Sequence, residues 1–114
     1  MMGVIAVLTN LPDSASAFNL ARTLVERRLA ACVNVLAPAT SYYRWEGRLQ
    51  QEQETPLVIK STTEAYGELE RAIRELHPYA LPEIIALPVA QGLPEYLGWV
   101  ADECKPALDP GSGP

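Results

Sequence analysis

The stretch from Cys32 to Thr62 consists of β-prone segments that fold back on themselves at Glu46-Gly47, a tight-turn dipeptide inside "SYYRWEGRLQ". A hairpin turning there sets Trp45 opposite Arg48 and Pro38 nearly opposite Pro56. Both arms are then expected to kink at one level, because proline cannot donate to a ladder and sits at edges or bulges. Each arm runs roughly 14–15 residues, against a usual strand of about 5–6. A chain of 114 residues is one domain by length and cannot cover such a ribbon. The outer half carries Tyr42, Tyr43 and Trp45 with few aliphatic neighbours, and a lone two-stranded ribbon is only marginally stable in water. The arm is therefore expected to pack on another copy of the chain.

The segments on either side complete a pattern. "GVIAVLTN" at 3–10 is short, apolar and β-branched, and predicts a buried strand. A helix follows, with Asp13 or Ser14 as N-cap, an apolar face of Phe18, Ala21, Leu24 and Val25, and Arg27 and Arg28 where the dipole favours cations. After the hairpin, Ser61-x-x-Glu64 offers a capping box for a second helix with Ala65, Leu69, Ala72, Ile73 and Leu76 on one face and a Glu70–Arg74 pair. Pro78 stops that helix near Leu76 or His77. "EIIALPVA" at 83–90 predicts another buried strand, with Pro88 at an edge or bulge. Leu93, Leu97, Val100, Ala101 and Cys104 form one face of a short last helix. The order βαββαβ plus a short C-terminal helix is α+β and ferredoxin-like: an antiparallel sheet with two helices on one face. One such domain spans 1–104, and 105–114 is expected to be an unstructured tail.

Composition narrows the function. A net charge of −5 with nine scattered Lys and Arg argues against nucleic acid and makes cations the expected charged partners. No apolar run is long enough to span a bilayer, and the first residues carry no signal-peptide pattern, so no membrane partner and a cytoplasmic location are expected. Cys32 and Cys104 then read as free thiols. Glycine-rich phosphate loops are absent, and Glu52/Glu54 and Asp102/Glu103 read as solvated faces. The only residues from which a hydrolase could draw a nucleophile, base and orienting acid are Cys32, His77 and Glu83, and nothing local marks them as catalytic, so no enzyme is expected. Lys60 either covers a buried carboxylate such as Glu83 or lies exposed. His77, the single histidine, either caps the second helix or ligates a metal as a neutral imidazole.

"ARTLVERRLAACVNV", "TSYYRWEGRLQQEQE", "LVIKSTT", "HPYALPEIIALPV" and "EYLGWV" follow one another, from about residue 4 to 103, as the blocks of the CutA family do, and the chain resembles that family. The resemblance implies a PII-like fold assembled as a homotrimer through the long hairpin, and a role in divalent-cation tolerance without catalysis. It implies weak binding of Cu(II) or another divalent cation and no organic cofactor. Some bacterial members have cysteine where this chain has Thr9 and a second histidine where it has Leu76, which leaves His77, with Cys32 and Glu83 as helpers, for a metal. Trp45, Glu46, Lys60 and Tyr79 match family blocks and are expected to line a cleft between subunits. The rival expectation is a PII-like sensor that binds a small anionic metabolite there and signals to a protein partner.

Overall fold

The computed structural model describes residues 3–105. The tail expected at 105–114 therefore lies outside the described residues except for Lys105. β1 (Val4–Leu11), α1 (Ser14–Glu26), β2 (Cys32–Val35), β3 (Ala39–Trp45), β4 (Arg48–Thr62), α2 (Tyr66–Leu76), β5 (Ile85–Pro88) and α3 (Pro94–Glu103) follow in that order. All pairings are antiparallel, in the order β2-β4-β1-β5, with β3 pairing β4 beyond the end of β2. This is the ferredoxin-like α+β arrangement.

Alternation decides the two faces of the sheet. Ile5, Val7 and Leu11 of β1 and Leu57 and Ile59 of β4 point into the core, where they meet Ala17, Leu20 and Leu24 of α1 and Leu69, Ala72 and Ile73 of α2. Ala6, Leu8, Val58, Lys60, Ile85 and Leu87 are register partners on the opposite face, which carries neither helix. The segment expected as a buried strand at 83–90 is exposed along β5 on both faces, because it forms the edge of the sheet.

Local details follow the chemistry of single residues. Asp13 is the N-cap of α1, its Oδ1 accepting the Ser16 N–H at 2.7 Å. The helix turns its alanines and leucines inward, whereas Phe18 is 60% exposed and Val25 is also exposed. Arg28, at φ 60°, caps a different helix from its own: its guanidinium donates to the Asp102 and Lys105 carbonyls at the end of α3. Ser61 does not cap α2, because its hydroxyl donates to the Leu29 carbonyl at 2.7 Å; Oγ1 of Thr62, the last residue of β4, accepts the Ala65 N–H. Glu70 accepts from the Tyr66 hydroxyl at 2.8 Å rather than pairing with Arg74.

The hairpin turns at Glu46-Gly47 with φ of 51° and 79°, the left-handed pair that a two-residue turn requires. Trp45 faces Arg48, as expected. The prolines, however, do not face each other. Leu36 donates to the Pro56 carbonyl at 2.9 Å, continuing the β2 register, while the β3 register opens with Ala39 against Glu54. Ala37 and Pro38 together therefore oppose Thr55 alone, a one-residue bulge that breaks only this arm. β4 runs through unbroken.

Thr9 Oγ1 is the one buried side-chain polar atom among the described residues with no hydrogen-bond partner, and Thr9 is 1% exposed. An unsatisfied buried hydroxyl costs about 1–3 kcal/mol. Thr9→Val keeps the shape and removes the hydroxyl, so it is expected to raise the unfolding free energy by about 1 kcal/mol. Urea unfolding should show this as a higher midpoint at unchanged slope. A lower midpoint would mean that the hydroxyl is bonded in solution.

Candidate ligand cleft at the base of the hairpin

Where the ribbon leaves the sheet, the loop after α2 crosses in front of it. Pro78 ends α2, and His77 takes an extended conformation (φ −83°, ψ 132°), sending the chain back across the end of β1. Between that loop and the ribbon lies a cleft of about 850 Å³. Its walls include Asn10 near the end of β1 and Pro12 just after it, Tyr43, Trp45, Glu52 and Glu54 on the ribbon, and Pro78, Tyr79 and Glu83 on the loop. Ser41 opposite Glu52 and Ala39 opposite Glu54 put both carboxylates on the same face of the ribbon as Tyr43 and Trp45.

His77 latches the loop. It is 7% exposed, its Nε2 lies 2.6 Å from the Asn10 carbonyl, and its Nδ1 accepts the Tyr79 N–H at 3.1 Å. A carbonyl can only accept, so the hydrogen is on Nε2 and the lone pair on Nδ1 is used. Burial lowers the His77 pKa from its ordinary value, against the opposing pull of the Asn10 carbonyl and the Glu54 charge. The ring is a neutral bridge with both nitrogens engaged. Tyr79 packs on it at 4.8 Å between centroids, and the Tyr79 hydroxyl donates to Glu54 Oε2 at 3.1 Å. Burial and then that bond push the Tyr79 phenol up to about 12, so it remains a donor. Asn10 Nδ2 donates to Glu83 Oε1 at 3.0 Å, joining the loop to β1 a second time.

Of the residues singled out from the sequence, Trp45, Tyr79 and Glu83 meet in this cleft, with His77 directly behind it. The others are elsewhere. Cys32 and Lys60 are paired on the helix-free face, and Lys60 donates to Asn34 rather than reaching Glu83. Lys60 is four positions along β4 from Pro56, the partner of Asn10, which separates Cys32 from the His77 end by roughly 13 Å along the strand. Glu46 sits exposed in the hairpin turn. Cys32, His77 and Glu83 therefore form neither a metal cluster nor a nucleophile–base–acid set within the chain. No group of three His, Cys, Asp or Glu among the described residues is close enough to hold a metal ion. Glu54, read from the sequence as part of a solvated face, is instead 8% exposed. The available signal was its place beside Thr55-Pro56, where the ribbon joins the sheet.

Comparison with known proteins agrees with this architecture. The family model for the CutA1 divalent ion tolerance protein matches residues 5–103. The chain belongs to the CutA1 family. It is 47% identical over 96 residues to the divalent-cation tolerance protein CutA of Thermus thermophilus, covering 84% of this chain and 93% of that one. It is 44% identical to a CutA homolog of Xenopus laevis, covering 85% of this chain and 64% of the relative. Among solved CutA structures, that of Xylella fastidiosa superposes with a TM-score of 0.88 at 43% identity, covering 90% of this chain and 99% of that one. The Thermus thermophilus CutA1 structure gives 0.85 at 46% identity, covering 90% and 98%.

The neutral His77 has a consequence for stability. Because its folded pKa is depressed below 6.5, the unfolded chain binds more protons between the two values. Stability from the neutral ring is fully present above 6.5 and is lost as pH falls toward the folded value. His77 is the only histidine, so acidification from pH 7 to just below 6.5 is expected to lower the melting temperature through this residue. The same scan on His77→Gln should be flat over that window, and an equal slope in both proteins would assign the effect to other groups.

Proposed function

We propose that this protein serves in divalent-cation tolerance as a cytoplasmic homotrimer that binds a transition metal weakly or conditionally and catalyses no reaction. The observation that carries the tolerance reading is the CutA1 family match across residues 5–103, together with the divalent-cation tolerance proteins among its relatives. Assembly is favoured by the helix-free sheet face, where Ile85 and Leu87 are exposed beside Leu8 and Val58, and by exposed Tyr42, Trp45 and Leu49 on the hairpin. A face of this kind is buried against a second copy at modest cost in polar groups. Two free thiols, Cys32 and Cys104, suit a reducing compartment.

Weak metal binding follows from the state of the candidate ligands. A metal on His77 Nδ1 must displace the Tyr79 N–H, and a metal on Nε2 must break the bond to the Asn10 carbonyl. Glu83 is held by Asn10, and Cys32 is reached only through a rearrangement or a neighbouring chain. Tight transition-metal sites supply three or four ligands in place. Calorimetry is expected to find micromolar or weaker Cu(II) affinity, falling as pH drops and the imidazole protonates. Loss of that heat in His77→Ala supports the assignment, and unchanged binding overturns it. Sedimentation at micromolar concentration is expected to give three times the chain mass, and a monomer would sink the assembly reading.

One observation favours a second reading, a sensor whose ligand enters the cleft: Trp45 and Tyr79 line a space large enough for a small molecule. In that reading, Glu46 and Lys60 contribute only from another copy of the chain. The anionic metabolite expected for such a sensor fits poorly, because Glu52, Glu54 and Glu83 line the cleft and no Lys or Arg does.

A further inference from the structure

The cleft holds formal charge of one sign. Glu52, Glu54 and Glu83 contribute to its walls without any basic residue, and the three ion pairs among the described residues, Arg22–Glu26, Arg28–Glu103 and Lys105–Asp102, involve none of them. Glu54 is the sharpest case. More than nine-tenths buried, it receives one hydrogen bond, from the Tyr79 hydroxyl to Oε2, and no described residue donates to its Oε1. A carboxylate this far withdrawn from water without a cation is costly, although neither of its oxygens is both fully buried and unpaired. The remaining walls mix aromatic Tyr43, Trp45 and Tyr79 with apolar Pro12, Pro78 and Leu81.

We propose that this cleft binds an organic cation, a guanidinium or alkylammonium group that neutralises Glu54 and rests against the rings of Tyr43, Trp45 and Tyr79. The inference rests on the reading of the cleft as a ligand site and specifies the ligand's charge and class. A bare divalent ion is the poorer match, because it needs several ligand atoms within one tight shell and no three acidic, His or Cys residues are grouped that way. Carboxylates set apart around aromatic faces suit a larger cation with spread charge and an apolar stem, held by ion pairing and cation–π contact. A volume of about 850 Å³ leaves room for such a molecule. The chain's net charge of −5 attracts cations at long range. The same group has two possible sources: a free small molecule, or an Arg or Lys side chain from a second copy of the chain.

Agmatine, which carries a guanidinium and an ammonium and no carboxylate, is the probe. It is titrated into the native full-length oligomer by calorimetry and tryptophan fluorescence, with citrate as the anionic counterpart, and sedimentation is run on the same samples. Saturable agmatine binding that weakens with salt and falls at least tenfold in Glu54→Gln establishes the free-ligand case. Glu54→Gln keeps the acceptor for Tyr79, and Glu83→Gln serves as the second variant should the first fail to fold. If agmatine does not bind but either variant lowers the sedimenting mass, the cation is a side chain of the second copy. Citrate binding without agmatine binding overturns the cation assignment and leaves the ligand-site reading intact. No binding of either, with unchanged mass in both variants, overturns both.

Discussion

β4 pairs with three different strands along its length. Its last eight residues pair with β1, four of these also pair with β2, and its outer seven pair with β3. Pro56 lies within it and still leaves it unbroken, because the missing N–H falls where the partner arm changes register. The helices take their positions from this strand, since α1 and α2 bury their alanines and leucines against Leu57 and Ile59 and their neighbours on β1. The bulge at Ala37-Pro38 takes up the difference between the sheet and the free ribbon. Without it, every side chain on β3 would move to the other face, and Tyr43 and Trp45 would turn away from Glu52 and Glu54.

The cleft is thus a product of register on one side and of a single latch on the other. His77 occupies the C-cap of α2 and joins three elements: its own helix through the Ile73 carbonyl, β1 through the Asn10 carbonyl, and the following loop through the Tyr79 N–H. This role and metal ligation compete for the same ring nitrogens, both of which are already engaged by backbone groups. The ring of this lone histidine before a proline serves two backbone groups, and any ligand to it must displace one of them.

Features governed by neighbours in sequence were legible. The Glu46-Gly47 turn needs two left-handed residues, Asp13 can cap only the helix that follows it, and the Leu69–Ala72–Ile73 stripe of α2 has one apolar side. Features decided by competition between distant parts were not. α1 carries two apolar stripes, Ala17/Leu20/Ala21/Leu24 and Phe18/Val25, and periodicity cannot choose between them; close approach to the sheet favours the one with small residues. Ser61 and Thr62 both close β4, and the Leu29 carbonyl engages the buried Ser61 hydroxyl, which leaves Thr62 to accept the Ala65 N–H. Glu54 reads as a surface charge until the loop after α2 is laid over it. The strand at 83–90 was legible as a strand, but its burial was not, because burial depends on what covers the helix-free face.

Two groups of charges on this molecule show how scaffold and site differ. At the junction of α1 and α3, Arg28 meets the Asp102 carbonyl in α3 and the Lys105 carbonyl just beyond it and has Glu103 at 4.0 Å, so the cation is surrounded by acceptors from within the chain. At the cleft the supporting network is neutral throughout: an uncharged imidazole, an uncharged phenol and an amide hold Glu54 and Glu83 in position without cancelling their charge. Neutral groups that orient a carboxylate leave its field pointing outward, whereas a structural ion pair consumes it. What remains is a preorganised negative surface with aromatic walls, complementary to positive charge brought from outside the chain.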